Sequence, residues 1–347
     1  MSRGPTAARL SPGLLLTATV LAASPCFAAP ENAARGGEGK VRLIAARKIW
    51  DAAPHNAFTD IVRFDGALFC VFREGAGHVS PDGAIRVITS RDGEAWTSAA
   101  RIESKLGDLR DPKVTIAPDG RLHLLAAAAL PPGGKASHQT YAWLSKDGRS
   151  WGEARPVGDP DVWLWRIAWR DGVAYGLGYG TKEKRVLRLY RSTDGLAFEK
   201  VADDVFPRGE PNESSLVFDK DETCRCLLRR DDPGGAGQLG TALPPYTTWS
   251  WEDLGARIGG PHMARLEDGR LAAVVRLHEP SARTALCWIE GGPEPGKQAL
   301  REALALPSGG DTSYAGMVLD GRILWISYYS SHEGKTSVYL AKVEVGG

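Results

Sequence analysis

The feature that most constrains this chain is a unit repeated six times: an apolar strand, a tight turn and a second apolar strand. The copies read FTDIVRFDGALFCVF, DPKVTIAPDGRLHLLA, WRIAWRDGVAYGLG, ESSLVFDKDETCRCLL, HMARLEDGRLAAVV and YAGMVLDGRILWISY. Five of the six turns contain Asp-Gly, a pair whose tolerance of positive φ suits a hairpin. The polar residue near the head of each first strand is Asp60, Asp111, Arg166, Glu213, His262 and Tyr314, at successive separations of 51, 55, 47, 49 and 52 residues. A period of about fifty is one four-stranded propeller blade. The spacing therefore predicts an all-β chain folded as a six-bladed β-propeller of four-stranded blades.

A second motif keeps step with the first, as SRDGEAW (Ser90 to Trp96), SKDGRSW (Ser145 to Trp151) and STDGLAF (Ser192 to Phe198). These segments match the Asp-box, S-x-D-G-x-x-W. Its Ser and Asp side chains bond turn amides, its Gly takes the backbone conformation closed to other residues, and its aromatic ring plugs the blade edge. Such a motif marks structure and not catalysis. At the carboxyl end, KTSVYLAKV supplies only the third strand of blade six. The early strand from Val41 to Ala46 supplies the fourth, so both ends of the ring meet in one blade and no open edge is left. Residues 41–347 are read as one domain.

The first residues set the expected compartment. Arg3 and Arg9 precede an apolar run from Pro12 to Ala23 that ends in Cys26-Phe27-Ala28-Ala29. This is the pattern of a cleaved signal peptide over 1–28, followed by a flexible segment over 29–40, and it predicts a secreted or periplasmic protein. No later segment approaches the roughly 20 apolar residues of a membrane helix. Forty-three basic against forty-two acidic residues give a net charge of +1 with no block of like charge, which argues against a nucleic-acid partner. Cys70, Cys224, Cys226 and Cys287 are too few for a disulfide-built scaffold, and with no His or second Cys pair at ligand spacing a zinc site is not expected. The Asp108 to Asp111 segment is a sparse candidate for calcium, and neither metal nor cofactor enters the reading. A monomer is expected.

In a propeller the innermost strands line a central channel, and one mouth of that channel gathers a side chain from every blade. At the heads of these strands stand His55, Asn56 and Asp60; Asp108, Arg110 and Asp111; Trp163, Trp165 and Arg166; Asn212 and Glu213; Gly260 and His262; Asp311 and Tyr314. Charged, amide and aromatic groups at one phase of six repeats predict a polar site there. Asp60, Arg110, Asp111, Arg166 and His262 are the candidate substrate contacts, and Trp163 and Trp165 offer faces that stack on sugar rings.

Through the repeat, the Asp-boxes and three local matches, the chain resembles the sialidase (neuraminidase) superfamily over nearly all of its expected mature length. The resemblance implies a tyrosine nucleophile assisted by glutamate, an aspartic general acid and base, and three arginines that grip a substrate carboxylate. Tyr314 in TSYAGMVLDGRILWISY is similar to the nucleophile, and Glu213 in NESSLVFDKDETCRCLLRRD to its glutamate. Arg229 or Arg230, one hairpin later, falls where the family carries its second arginine, and Arg283 in PSARTALCW resembles the third. Asp82, in EGAGHVSPDGAIRVITS, resembles the general acid. The family's F/Y-R-I-P motif is missing: HNAFTDIVRF puts Ala57 in the arginine slot and Asp60 close by.

These residues predict an exo-acting, retaining glycoside hydrolase for a terminal sugar of a glycan, acidic in kind. A phenol has a pKa of about 10 and needs a base beside it to attack, and sialidases are a recognised exception to the usual carboxylate nucleophile. Two alternatives keep the propeller. One is a polysaccharide lyase acting beside a uronate with His55, His78, His262, Tyr314 and the arginines; the other is a carbohydrate-binding module without turnover. No phosphate-cradling glycine loop, serine nucleophile elbow or HExxH pattern is present.

Overall fold

The computed structural model describes residues 41–346 apart from 106, 183, 184, 293 and 295, together with Met1 and Gly4. Apart from those two residues, the expected signal over 1–28 and the segment 29–40 lie outside the described residues. The described chain forms six antiparallel four-stranded sheets arranged as a six-bladed β-propeller, as the repeat predicts. In blades 1 to 5 the strands pair in sequence order, beginning with the inner strands His55–Phe64, Asp108–Ile116, Val162–Arg170, Pro211–Phe218 and Ile258–Arg265.

Blade 6 differs, because its inner strand Thr312–Asp320 is followed by Ile323–Ser330 and Ser337–Val345, and the fourth place is taken by Val41–Trp50. The amino-terminal strand runs from Val41 opposite Val345 to Trp50 opposite Val338. This is the expected ring closure, and it extends four residues past Ala46. Among the described residues no helix is long and apolar enough to cross a membrane, and the four cysteines among them, Cys70, Cys224, Cys226 and Cys287, are buried free thiols.

Apolar side chains from adjacent blades fill the wedges between sheets. Val71, Val87, Leu109 and Leu124, for example, make one buried cluster across blades 1 and 2. The three S-x-D-G turns add a second bond between blades. In each, the serine hydroxyl accepts from the glycine amide and the aspartate accepts from the two amides that follow. The glycine holds φ of +77°, +68° and +73° at Gly93, Gly148 and Gly195. Each then lies against the preceding blade's second strand: Gly93 on Trp325, Gly148 on Phe69, and Gly195 on His123, whose Nε2 is 2.7 Å from the Gly195 carbonyl.

A Cβ on Gly148 would sit 2.4 Å from the Phe69 ring, and its positive φ penalises any side chain besides. Gly148→Ala should therefore cost about 2–4 kcal/mol, read as a lowered denaturation midpoint with an unchanged denaturant slope. At Gly172, whose φ of +79° is similar but where nothing lies within 4 Å, the same change should cost only the backbone share, about 1 kcal/mol.

Candidate active site

Strand alternation alone cannot aim six inner strands at one point, and each of them carries a break that does. The register against the second strand slips between Ala57 and Asp60, Arg110 and Lys113, Leu164 and Arg166, Pro211 and Ser214, Gly259 and His262, and Ser313 and Gly316. Such bulges bend a strand and re-aim the side chain within them. In four blades the re-aimed residue has positive φ: Phe58 at 62°, Asp111 at 48°, Gly260 at 55° and Tyr314 at 49°. For a residue with a side chain this costs about 1 kcal/mol or more, and the fold holds it in place. The breaks present Phe58, Asp111, Trp165, Glu213, Gly260 and Tyr314, one from each blade.

Tyr314 and Glu213 meet at the centre of this set. The phenol donates to Glu213 Oε1 at 2.5 Å, Arg229 Nη1 donates to both Glu213 oxygens at 3.0 Å and lies 3.0 Å from the phenol oxygen, and the Gly260 amide donates to Oε2 at 2.8 Å. Gly260 must lack a side chain, since a Cβ there would fall 2.8 Å from the Tyr314 ring. Arg229 is held in turn by Asp231, its Nε 2.8 Å from Oδ1, and Asn212 donates to the other oxygen of Asp231. Burial would push the Glu213 carboxyl up, but the Arg229 charge, the phenol and the Gly260 amide outweigh it and leave it below the ordinary glutamate value. Burial and the Glu213 charge drive the Tyr314 phenol well above the usual tyrosine value. At neutral pH the pair is thus an anionic carboxylate holding a neutral phenol.

Two guanidinium groups flank that pair and a third stands beyond Phe58. Arg229 is one. Arg276 stands 5.4 Å from the Tyr314 ring, bonded to the Thr312 carbonyl, Asp311 and the Tyr329 hydroxyl. Arg110 lies 5.2 Å over the Phe58 ring, which packs edge-on against Tyr314 at 5.1 Å. Arg276 escaped the sequence reading, although its place is regular: it follows Arg229 by the same 47 residues that separate Gly260 from Glu213.

Arg283, expected as the third arginine, is engaged elsewhere. It pairs with Glu302 on the outermost strand of blade 5 and donates to the carbonyls of Glu279 and Ser281. Arg230 pairs with Asp232, which leaves Arg229 as the arginine on Glu213. Asp82 sits exposed on the loop between the second and third strands of blade 1, both oxygens accepting from the Ala76 amide at 3.2 and 3.0 Å. The Ser80 hydroxyl and that amide hold its carboxyl below the ordinary value. Asp111, by contrast, is buried in the break of the blade 2 inner strand. Its Oδ2 accepts from the Trp165 indole at 3.3 Å while Oδ1 has no partner, and burial, helped by the Glu213 charge, raises its pKa against the pull of Lys113 and Arg110.

The other expected contacts form a second layer, deeper in the channel. Asp60 accepts from Arg166 Nη1 at 3.0 Å and from the Val114 amide at 2.9 Å, and His262 Nε2 lies 3.4 Å from that same Arg166 nitrogen. With Lys113 and Ser215 they line a cavity of about 370 Å³. These three residues follow the register breaks where Asp111, Glu213 and Tyr314 lie inside them, so Asp60, Arg166 and His262 support the floor from beneath. Lys113 lies 4.6 Å from the Trp165 ring, and burial with the neighbouring Arg166 pushes its pKa down to about 8 against the attraction of Asp60, Asp111 and Glu213. Trp163 and Trp165 are core residues and offer no free face: Trp165 is 1% exposed, and Trp163 stacks on Tyr179.

No protein-family model matches the sequence, and no curated protein does so significantly. Solved structures match throughout the fold. A protein of unknown function from Dyadobacter fermentans is 19% identical with a TM-score of 0.76, covering 88% of this chain and 99% of that one. The α-L-arabinanase of Penicillium chrysogenum, complexed with arabinobiose, is 14% identical at a TM-score of 0.67, covering 87% and 98%. Trypanosoma rangeli sialidase is 11% identical at 0.61, with 84% of this chain matched to 55% of that longer one. At these identities the likeness establishes the propeller alone.

The lowered pKa of Glu213 fixes the sign of a stability effect. A carboxylate with a depressed folded pKa contributes stability that is present above its unfolded pKa, about 4.3, and is lost as pH falls through the folded value. Glu213→Gln should cost about 3 kcal/mol near neutrality by leaving Arg229 short of its buried partner. The gap between wild type and variant, measured by denaturant unfolding, should narrow as pH drops below about 4.

Proposed function

We propose that the chain is an exported, exo-acting, retaining glycoside hydrolase that removes a terminal acidic sugar from glycans. One observation carries this reading: a phenol bonded at 2.5 Å to a buried carboxylate that Arg229 keeps ionised. In the first step Tyr314 Oη attacks the anomeric carbon while its proton passes to Glu213, so the attacking group need never exist as a free phenolate. The glycosidic bond breaks with protonation of the leaving oxygen, and Asp111 suits that task better than Asp82. Burial raises the Asp111 pKa, which favours its acid form, and one of its oxygens has no partner, whereas the carboxyl of Asp82 is held below the ordinary value and bonded to the Ala76 amide. Water then displaces tyrosine at the anomeric carbon, the Asp111 carboxylate takes the water proton, and Glu213 returns a proton to the phenol oxygen. Arg229, Arg276 and Arg110 give the pocket a cationic wall that favours a sugar carboxylate. Arg110 stands in for the arginine that Ala57 replaces.

The test is a variant series on a panel of aryl glycosides that includes sialic acid and uronic acids. Tyr314→Phe should reduce turnover by about three orders of magnitude or more while leaving binding of the free sugar intact. Asp111→Asn, which tolerates the same positive φ, should lose about 10²–10⁴-fold on poor leaving groups and recover on activated ones, whereas Asp82→Asn should keep most activity. Unsaturated products from uronate polymers would replace this reading with a lyase, and binding that survives every variant without turnover would replace it with a binding module.

A further inference from the structure

We propose that His55, His78 and Asp311 bind one divalent transition-metal ion of the zinc class at the rim of the pocket. One candidate ligand atom from each of the three lies within 4.8 Å of the others. His78 Nδ1 is 2.8 Å from Asp311 Oδ2, and His55 Nε2 is 3.6 Å from the same oxygen, too far for a hydrogen bond. The independent sign of a missing ligand is His55 itself. It is 7% exposed, and neither ring nitrogen has a hydrogen-bond partner although both are buried. Burying an imidazole without partners is costly, and an ion between the three groups would give Nε2, the nitrogen that faces Asp311, a partner.

Hydrogen bonds aim Asp311 as a ligating carboxylate is usually aimed, and the loop and the rings around them fix His78 and His55. The other Asp311 oxygen, Oδ1, accepts from the Tyr329 hydroxyl at 2.7 Å and from Arg276 at 3.1 Å, which aims Oδ2 at the two imidazoles. The loop that carries His78 is pinned by the fully buried Arg73, which donates to the Gly77 carbonyl and to Ser80, and by the Arg110 bond to the His78 carbonyl. Phe58 packs edge-on against His78 and tilts against His55. Two imidazoles and one carboxylate suit zinc with a position left for water or a substrate oxygen, and a calcium ion would want more oxygens. The His78 side chain is half exposed and gives a path of entry. His55 and Asp311 belong to blades 1 and 6, and the Asn56 amide bonds the Thr336 carbonyl beside them, so the ion would clamp the seam where the ring closes.

The proposal stands apart from the glycosidase reading because its readout is binding. Protein purified without a polyhistidine tag and stripped with chelator is titrated calorimetrically with Zn²⁺, then Co²⁺, then Ca²⁺. The expected result is one equivalent of Zn²⁺, visible Co²⁺ absorption of a nitrogen-and-oxygen site, a raised Tm with Zn²⁺, and no saturable Ca²⁺ uptake. His78→Ala and His55→Gln should each weaken Zn²⁺ binding at least about tenfold, and His123→Gln, on blade 2 against Gly195 of blade 3, should not. Absence of stoichiometric Zn²⁺ uptake by the wild type, or uptake unchanged in both His55 and His78 variants, overturns the proposal.

Discussion

The structure depends on one backbone device, the register break repeated in all six inner strands. A regular strand sends alternate side chains to opposite faces, and in a propeller those faces meet the neighbouring blades. Without a break the channel mouth would receive backbone edges. With it, each blade delivers one residue to the mouth, and the delivery at Phe58, Asp111 and Tyr314 is bought with a left-handed backbone that only the surrounding sheet sustains. Gly260 completes the ring by making room: its missing side chain leaves space for the Tyr314 ring, and its amide donates to Glu213.

Once those residues converge, electrostatics sorts them. Two carboxyls share one buried mouth and are driven in opposite directions. Glu213 is ionised because Arg229, the Gly260 amide and the phenol all favour its charge, while Asp111 has one indole donor and an empty oxygen, and burial pushes its pKa up. Divergent environments for paired titratable groups are how one pocket comes to hold a base and an acid at the same pH. The layer below, with Asp60 bonded to Arg166 and Lys113 under the aromatic floor, supplies cations that stabilise negative charge above it.

The architecture was legible because hairpins need turn residues that tolerate positive φ, and Asp-Gly announces them at a spacing of one blade. The missing fourth strand of blade 6 pointed directly to Val41 and its neighbours. The phase of the repeat set Tyr314 and Glu213 among the strand-head residues and the resemblance to sialidases singled them out as a pair, but the layer of each residue could not be read. A break inserts residues into the alternation, so Asp60 and His262 look equivalent to Asp111 and Tyr314 although they sit on the far side of it. Arg283 misled because its partner Glu302 lies on a strand paired beside it, a contact that no local pattern betrays. Arg276 hid inside an apolar strand, AVVRL, and only the 47-residue offset from Arg229 distinguishes it. The cluster of His55, His78 and Asp311 comes from the first residue of one inner strand, a loop and the residue before another inner strand, with no common spacing, and folding alone brings it together.

The central claim is that the break in blade 6 aims Tyr314 as a nucleophile activated by Glu213. The most direct measurement is to inactivate the protein with a fluorinated acidic glycosyl fluoride, whose electron-poor ring slows the second step more than the first, and to map the label by peptide mass spectrometry. The account predicts one adduct per chain, on the phenol oxygen of Tyr314, formed far more slowly in Glu213→Gln. A label on Glu213, on Asp111 or on no residue at all, in protein that nevertheless turns over the parent glycoside, would contradict it.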